Sequence, residues 1–433
     1  MTSDTGETDS LRRTLIFAGG LGLSNAALGS TVAARETTSA APNAIDEGAV
    51  VGGHVDFPAI HATTEAPDTP PPNQDPPSQR VGFAIMGLGR LALQNIMPAF
   101  AQSKYARPVA LISGDSGKMR TVAAQYGIAA TACYSYGDMD RIRDNPEIQV
   151  VYVVLPNTLH KDAVIRAARL GKHVLCEKPM ATNPEEARVM IDACRKAGRK
   201  LMVAYRCQYE VYNRELAKRA RAGAFGKIQL IDAINTQNQG DPTQWRQIRA
   251  LAGGGSLPDV GLYCLNTTRA LLGEEPIEVS ASIHTPLNDP RFREVESTVS
   301  FTLKFPSGVI ANCASSYSAH EHRNIRIFGA SGSAEIENAF AYSGQKLRTM
   351  HLDGKIETMS ELSLPQKNQF SLEIDHMAKC VRADIQPRTP GEEGLQDQII
   401  MAAIYDAANT GQPVRLEPAG RPDAFRGPEP DDA

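Results

Sequence analysis

The chain has 433 residues, enough for more than one core-bearing domain. Lys and Arg number 45 against 49 Asp and Glu, a net charge of −4, so no global positive field recruits nucleic acid or an anionic membrane. The seven cysteines are scattered, with no C-x-x-C pair and no metal-ligand spacing; they read as small buried hydrophobes, and no metal site is expected.

Residues 10–16 read "SLRRTLI", and a Gly/Ala-rich apolar stretch follows to Ala34. Twin arginines before such a stretch match a bacterial twin-arginine export signal over residues 1–34, although a tail with a chance Arg-Arg pair is the alternative. That route carries folded proteins, so a periplasmic protein is expected, free of the membrane after export. No run of eighteen apolar residues suggests a membrane span. Residues 35–79 form the next segment, with no Lys or Arg after Arg35 and with six prolines in "PDTPPPNQDPP". Proline removes backbone donors and fixes φ, so this part reads as an extended linker or as an arm lying on another surface.

Regular signals begin at Arg80. "RVGFAIMGLGRLAL" is an apolar run that meets Gly87-Leu88-Gly89 and enters a helical pattern, with Ala92 in place of a third glycine. This is the strand–turn–helix opening of a dinucleotide fold. Further runs follow: "PVALIS" to Ser113, "ACYSY" near 132–136, "QVVYVVLP" to Pro156, "KHVLCE" to Glu177 and "KLMVAY" to Tyr205. Most are continuous Val/Ile/Leu runs of the kind buried on both faces of a parallel sheet, separated by helical segments. A doubly wound α/β domain over residues 80–206 is expected, with a ligand crevice at the strand carboxyl ends. Those ends are the glycine turn, Ser113-Gly114, Pro156-Asn157, Glu177-Lys178-Pro179 and Tyr205-Arg206.

The end of the second strand reads "LISGDSGKMR". A small Ser113 followed by Lys118 and Arg120 leaves room for a ribose 2′-phosphate and supplies cations to pair with it, which favours NADP over NAD. Asp115 dissents, since it could serve as the acid that holds a ribose diol.

After residue 225 the pattern changes. "KIQLIDAINTQ", "IEVSASIHT", "STVSFTLKF", "GVIANCASSYS" and "NIRIFGASGSAEIE" alternate or nearly so, and helical stretches lie near 369–383 and 391–410. Residues 207–433 are therefore expected to form an α+β domain with an open, mostly antiparallel sheet.

Gly87-Leu88-Gly89, "LPNTLH" at 155–160, "CEKP" at 176–179 and "GGGSLPDVGLYCLN" at 253–266 together resemble the Gfo/Idh/MocA oxidoreductase family, most of all its periplasmic glucose–fructose oxidoreductase branch. The similarity runs from about Gly82 to Val414 and includes "YRCQY" and "ASSYS". It implies Tyr263 as acid/base, Lys178 as its electrostatic partner and Asp259 beside them. Asp259 and Tyr263 are spaced i, i+4, on one helical face. Ser256-Leu257-Pro258-Asp259 also fits a helix-capping pattern. The resemblance further implies that Pro156, Asn157 and His160 form a nicotinamide-side turn, and that Glu177 binds the nicotinamide ribose. Arg206, Trp245 and Arg246 become pocket residues, and Arg90 touches the pyrophosphate or faces solvent.

As function, the resemblance implies a tightly held NADP, reduced by one sugar and reoxidised by another, with glucose giving gluconolactone and fructose giving sorbitol. It also implies a homo-oligomer, dimer or tetramer, whose Pro-rich arm lies on a neighbouring subunit, and a cis bond before Pro179. The alternatives are a conventional sugar or cyclitol dehydrogenase with exchangeable NAD(P), and a non-catalytic sugar or dinucleotide sensor. Lys178 and Tyr263 argue against the sensor.

Overall fold

The computed structural model describes residues 49–51, 54–56 and 74–430; residues 1–34, read above as an export signal, and most of the Pro-rich stretch lie outside the described residues. The chain divides into two units, Met1–His61 and Ala62–Ala433. In the first, β1 (Ala49–Val51) and β2 (His54–Asp56) pair antiparallel.

The second unit contains two sheets. Six strands form the first: β3 (Val81–Met86), β4 (Ala106–Ile112), β5 (Cys133–Tyr134), β6 (Val150–Val153), β7 (His173–Glu177) and β8 (Leu201–Ala204). Their order is β5-β4-β3-β6-β7-β8 and every pairing is parallel. Every residue of β3, β6 and β8 is buried, as their unbroken apolar runs require of a sheet covered on both faces. The order reverses between β3 and β6, which places the crevice at their carboxyl ends.

Nine strands form the second sheet: β9 (Ile228–Asn238), β10 (Glu278–His284), β11 (Thr298–Lys304), β12 (Ile310–Ser316), β13 (Ser318–Gly329), β14 (Gly332–Glu337), β15 (Lys346–Asp353), β16 (Ile356–Leu362) and β17 (Val414–Arg415). All neighbours are antiparallel except β9 and β12, which run parallel at the centre. The sequence reading anticipates β9 to β14 but not the β15–β16 hairpin. Ile356 and Met359 on β16 are exposed, so burial never imposed a clean apolar alternation there.

The two closing helices, Gln369–Ala383 and Gly391–Thr410, fall where the periodicity places them. Both return to the first sheet. The Asp375 carboxylate accepts the backbone N–H groups of Lys104 and Tyr105 and the Ser103 hydroxyl before β4, at 2.6–2.9 Å. Thr389 bonds the Val203 backbone on β8. The sheet that opens the fold is thus completed by the end of the chain. Among the described residues no helix is long and apolar enough to cross a membrane, and no group of three or more His, Cys, Asp or Glu is placed to hold a metal ion.

Candidate active site

A cavity of about 680 Å³ opens at the carboxyl ends of the first sheet and is closed by the second. Its floor begins at the glycine turn. Gly87 has φ +97°, and a Cβ there would lie 2.2 Å from the Val154 carbonyl oxygen, so only glycine fits. At Gly89 a Cβ would meet nothing within 4 Å, which leaves its backbone open to the cavity. Residues 90–99 then turn as a helix that widens to π geometry over Ala92–Ile96, and Ala92 is fully buried where a third glycine would pack.

Leu88 and Arg90 line the cavity with the two glycines, and Arg90 is exposed. Ser113 is buried at the end of β4 and lines the wall with the exposed Lys118. Asp115 caps the helix Ser116–Gln125, its Oδ1 accepting the Lys118 backbone N–H at 2.9 Å. Its carboxylate thus satisfies a helix N-terminus rather than standing free as a ribose acid. Gly114 lies off the cavity wall, against the Tyr136 ring.

Pro156 and Asn157 line the cavity beyond β6, and the Asn157 amide donates to the Ala252 carbonyl at 2.8 Å. His160 belongs to the same turn but does not line the cavity. The ring is fully buried, with Nδ1 2.9 Å from the Pro179 carbonyl and Nε2 2.9 Å from that of Leu155. It joins the turn after β6 to the turn after β7.

That second turn carries Lys178, and the Lys178–Pro179 bond is cis. Lys178 Nζ donates to Asp259 Oδ1 and to the Asp259 carbonyl, both at 2.9 Å. Nζ also sits 4.4 Å from the centre of the Tyr263 ring. Asp259 Oδ2 accepts Arg246 Nε at 2.9 Å and the Tyr317 hydroxyl at 2.7 Å. Burial alone would raise this carboxyl, but Lys178, Arg246 and the Tyr317 bond outweigh it and hold the group well below the usual carboxylate range. Burial would lower Lys178, but Asp259 and the Tyr263 oxygen reverse that and raise it.

The capping role suggested for Asp259 is not what the structure shows. Leu257–Gly261 is a π turn entered without a side-chain cap, and Ser256 Oγ lies 3.1 Å from Ser315 Oγ instead. The carboxylate of Glu296 takes the N–H groups of Gly255 and Leu257 at that entry, at 2.9 and 3.1 Å. The last glycine of the triplet follows from this packing: a Cβ on Gly255 would lie 2.0 Å from the Glu296 carbonyl oxygen.

Tyr263 stands between two cations. Arg206 Cζ is 4.6 Å from its ring centre, and Arg206 Nε donates to its hydroxyl at 3.2 Å. Arg206 is held in turn by Gln369 Oε1 at 2.5 Å and by the carbonyls of Phe340 and Ala341 at 2.6 and 3.2 Å. Sequence reasoning placed Lys178 at the tyrosine but did not foresee Arg206 as the hydroxyl's partner. Burial raises Tyr263 and outweighs the downward pull of Arg206 and Lys178. Trp245 lines the far wall with Arg246 stacked on it, Cζ 4.5 Å from the indole centre.

Glu177 lies on the wall but turns its Oε1 inward, to the Tyr152 hydroxyl at 2.8 Å. Other cavity residues escaped the sequence reading, among them Asn235 and Gln237 on β9, Arg323 on β13, and Tyr342. Tyr317 falls inside "ASSYS", a segment notable in the sequence without an assigned role.

A parallel sheet of this order, with an open glycine turn at its reversal point and a Lys–Asp–Tyr cluster facing it, defines a dinucleotide-binding oxidoreductase of two domains. Residues 81–205 match the family model described as "Oxidoreductase family, NAD-binding Rossmann fold", and residues 213–335 match the "GFO/IDH/MocA C-terminal domain". The chain belongs to the GFO/IDH/MocA oxidoreductase family. It is 32% identical over 343 residues to D-xylose 1-dehydrogenase [NADP(+)] of Haloarcula marismortui, covering 78% of this chain and 93% of that one. It is 27% identical over 337 residues to 1,5-anhydro-D-fructose reductase of Ensifer adhaerens, covering 77% and 98%. Among solved structures, aldose-aldose oxidoreductase from Caulobacter crescentus, complexed with glycerol, superposes with a TM-score of 0.75 at 46% identity, over 78% of this chain and all of that one.

The residues present fit a nicotinamide dinucleotide. The open backbone at Gly89 suits close approach of a pyrophosphate, and Ser113 with Lys118 suits a 2′-phosphate.

Proposed function

We propose that the protein is a sugar oxidoreductase that holds NADP tightly, oxidises an aldose at C1 and returns the hydride to a second sugar. The observation that carries the reading is the Tyr263 hydroxyl, set in the dinucleotide crevice between Lys178 and Arg206. The 46% identity to a structure named aldose-aldose oxidoreductase supports the two-sugar form, as do the twin arginines 12 and 13, since an exported enzyme has no free nicotinamide pool to draw on.

When bound, the nicotinamide supplies the hydride acceptor. The chain supplies the rest. Gly87, Leu88, Gly89 and Arg90 would hold the pyrophosphate, Ser113 and Lys118 the 2′-phosphate, and Pro156, Asn157 and Glu177 the nicotinamide side. Tyr263 Oη takes the C1 hydroxyl proton as the aldose is oxidised and gives a proton back as the second sugar is reduced. Lys178 and Arg206 stabilise the phenolate that accepts the first proton and is restored when the second is given up, and Asp259 fixes Lys178 in place. Trp245 and Arg246 bound the sugar end of the cavity. We place the enzyme in the periplasm as a homo-oligomer, and the exposed Leu352, Ile356 and Met359 of the outer hairpin supply apolar surface for a second copy.

The test is purified protein with glucose, alone or with fructose, and no added dinucleotide, assayed for gluconolactone and sorbitol. Both products are expected. No product until NADP is added removes the retained-cofactor reading and favours an exchangeable-cofactor dehydrogenase, for which the resemblance to D-xylose 1-dehydrogenase speaks.

A further inference from the structure

Behind the cavity wall, two carboxyl groups meet one phenol. The Tyr152 hydroxyl lies 2.8 Å from Glu177 Oε1 and 3.1 Å from Glu373 Oε1. Tyr152 stands on β6, Glu177 ends β7, and Glu373 comes from the helix Gln369–Ala383. A phenol carries one proton and donates it to one acceptor. If both carboxyls were ionised, one of these contacts would set two proton-free oxygens against each other. One contact therefore needs a proton on a carboxyl oxygen.

The surroundings say which. Glu373 is fully buried, and its Oε2 has no hydrogen-bond partner. Leaving a charge on such a group is the costlier choice. Glu177 is 8% exposed, on the cavity wall, makes the shorter contact with Tyr152, and its Oε2 accepts the Lys178 backbone N–H at 3.3 Å. The cations that face the pair are Lys178 and Arg206, and the donors of Arg206 go to Tyr263, Gln369, Phe340 and Ala341. Cys176 beside Glu177, Cys207, Tyr209 and, one turn along the helix, His376 are the other titratable groups nearby. Burial and then repulsion from Glu177 push Glu373 well above the usual carboxylate range. Burial also raises Glu177, but Tyr152, Lys178 and Arg206 oppose it.

We propose that Glu373 is a buried carboxylic acid that donates to Tyr152, which donates to Glu177, so that the three residues hold one proton on Glu373 and one negative charge on Glu177 at the cavity wall. Glu373 is a positioning residue, acting on the cavity only through Tyr152 and Glu177. The charge on Glu177 favours an oxidised, cationic nicotinamide over its neutral reduced form. This use rests on the dinucleotide reading above; the proton count does not.

Infrared spectra of the full chain at pH 7 without dinucleotide test the count. A protonated-carboxyl band is expected in the wild type, lost in Glu373→Gln and kept in Glu177→Gln. The reverse pattern, or no such band in the wild type, overturns the assignment. Should Glu373→Gln not fold, Tyr152→Phe serves instead: the acid loses its acceptor and its band moves to higher frequency, and an unmoved band overturns the proposal. Fluorescence titration with NADP⁺ and NADPH tests the use. Glu177→Gln is expected to shift the ratio of the two dissociation constants about tenfold toward NADPH, a 1.4 kcal/mol change. Glu373→Gln, a neutral isostere, keeps the wild-type ratio. An unchanged ratio in Glu177→Gln overturns the electrostatic role. Wild-type protein that binds neither form sinks the dinucleotide reading and with it this role, while the infrared result still decides the proton.

Discussion

Lys178 and Asp259 stand 81 positions apart in the chain, yet Lys178 Nζ meets Asp259 Oδ1 at 2.9 Å. One residue belongs to the turn after β7 and the other to the π turn ahead of the helix Leu262–Leu272. This contact joins the two domains at the point where Tyr263 is presented.

Asp259→Asn should therefore cost more than a surface pair would. Both side chains are largely buried, and breaking such a pair leaves Lys178 and Arg246 uncompensated, for about 3–5 kcal/mol of stability. The pH sign is fixed by direction. The folded carboxyl sits below its unfolded value, so its contribution is fully present above the ordinary carboxylate range, about pH 4, and is lost as pH falls through the folded value. Urea melts of wild type and variant across pH 2–7 should show a constant gap above about pH 4 that narrows in acid. A gap that widens in acid would contradict the pairing.

Tyr263→Phe keeps the ring between Lys178 and Arg206 and removes only the hydroxyl. Turnover should fall by about 10²–10⁴-fold, the usual worth of a positioned acid/base, with NADP affinity unchanged. Steady-state rates and a fluorescence titration check the two halves separately.

The two glycines of the turn should behave oppositely. Gly87→Ala meets the Val154 carbonyl and an unfavourable φ, and should destabilise the fold. Gly89→Ala meets nothing in the protein, so its melting temperature should hold. Its methyl group would enter the space proposed for the pyrophosphate, and NADP affinity should drop by at least about tenfold. Equal affinity in Gly89→Ala and wild type would move the dinucleotide elsewhere.

Cofactor choice is tested at the end of β4. Lys118→Ala should weaken NADP about tenfold relative to NAD, the worth of one charge-assisted hydrogen bond. Ser113→Asp should push preference the same way. Asp115→Ala should lower the melting temperature slightly, through loss of the cap on Ser116–Gln125, and leave the NADP/NAD ratio alone. Calorimetric titration with both dinucleotides gives the ratios.

The first sheet was readable in the sequence because burial on both faces writes uninterrupted apolar runs, and because the glycine turn has a local signature. The Lys178, Asp259 and Tyr263 cluster was readable through the family's motifs. Beyond the Lys178–Tyr263 pair, its electrostatics were not. Arg206 reaches Tyr263 across 57 positions, and Glu373 reaches Tyr152 across 221, so neither partnership leaves a local pattern. Glu177 shows the cost of reading one motif alone: its place on the wall was foreseen, and its inward bond to Tyr152 was not. At Asp259 the opposite occurred. A local S-x-x-D pattern suggested a cap, and three distant partners, Lys178, Arg246 and Tyr317, claimed the carboxylate instead.

The imidazole of His160 spans the carbonyls of Leu155 and Pro179. It makes the turns after β6 and β7 a single lip. Lys178 sits on that same lip, so its bond to Asp259 also ties the turns after β6 and β7 to the π turn that presents Tyr263. One buried imidazole thus braces the support of a tyrosine it never touches.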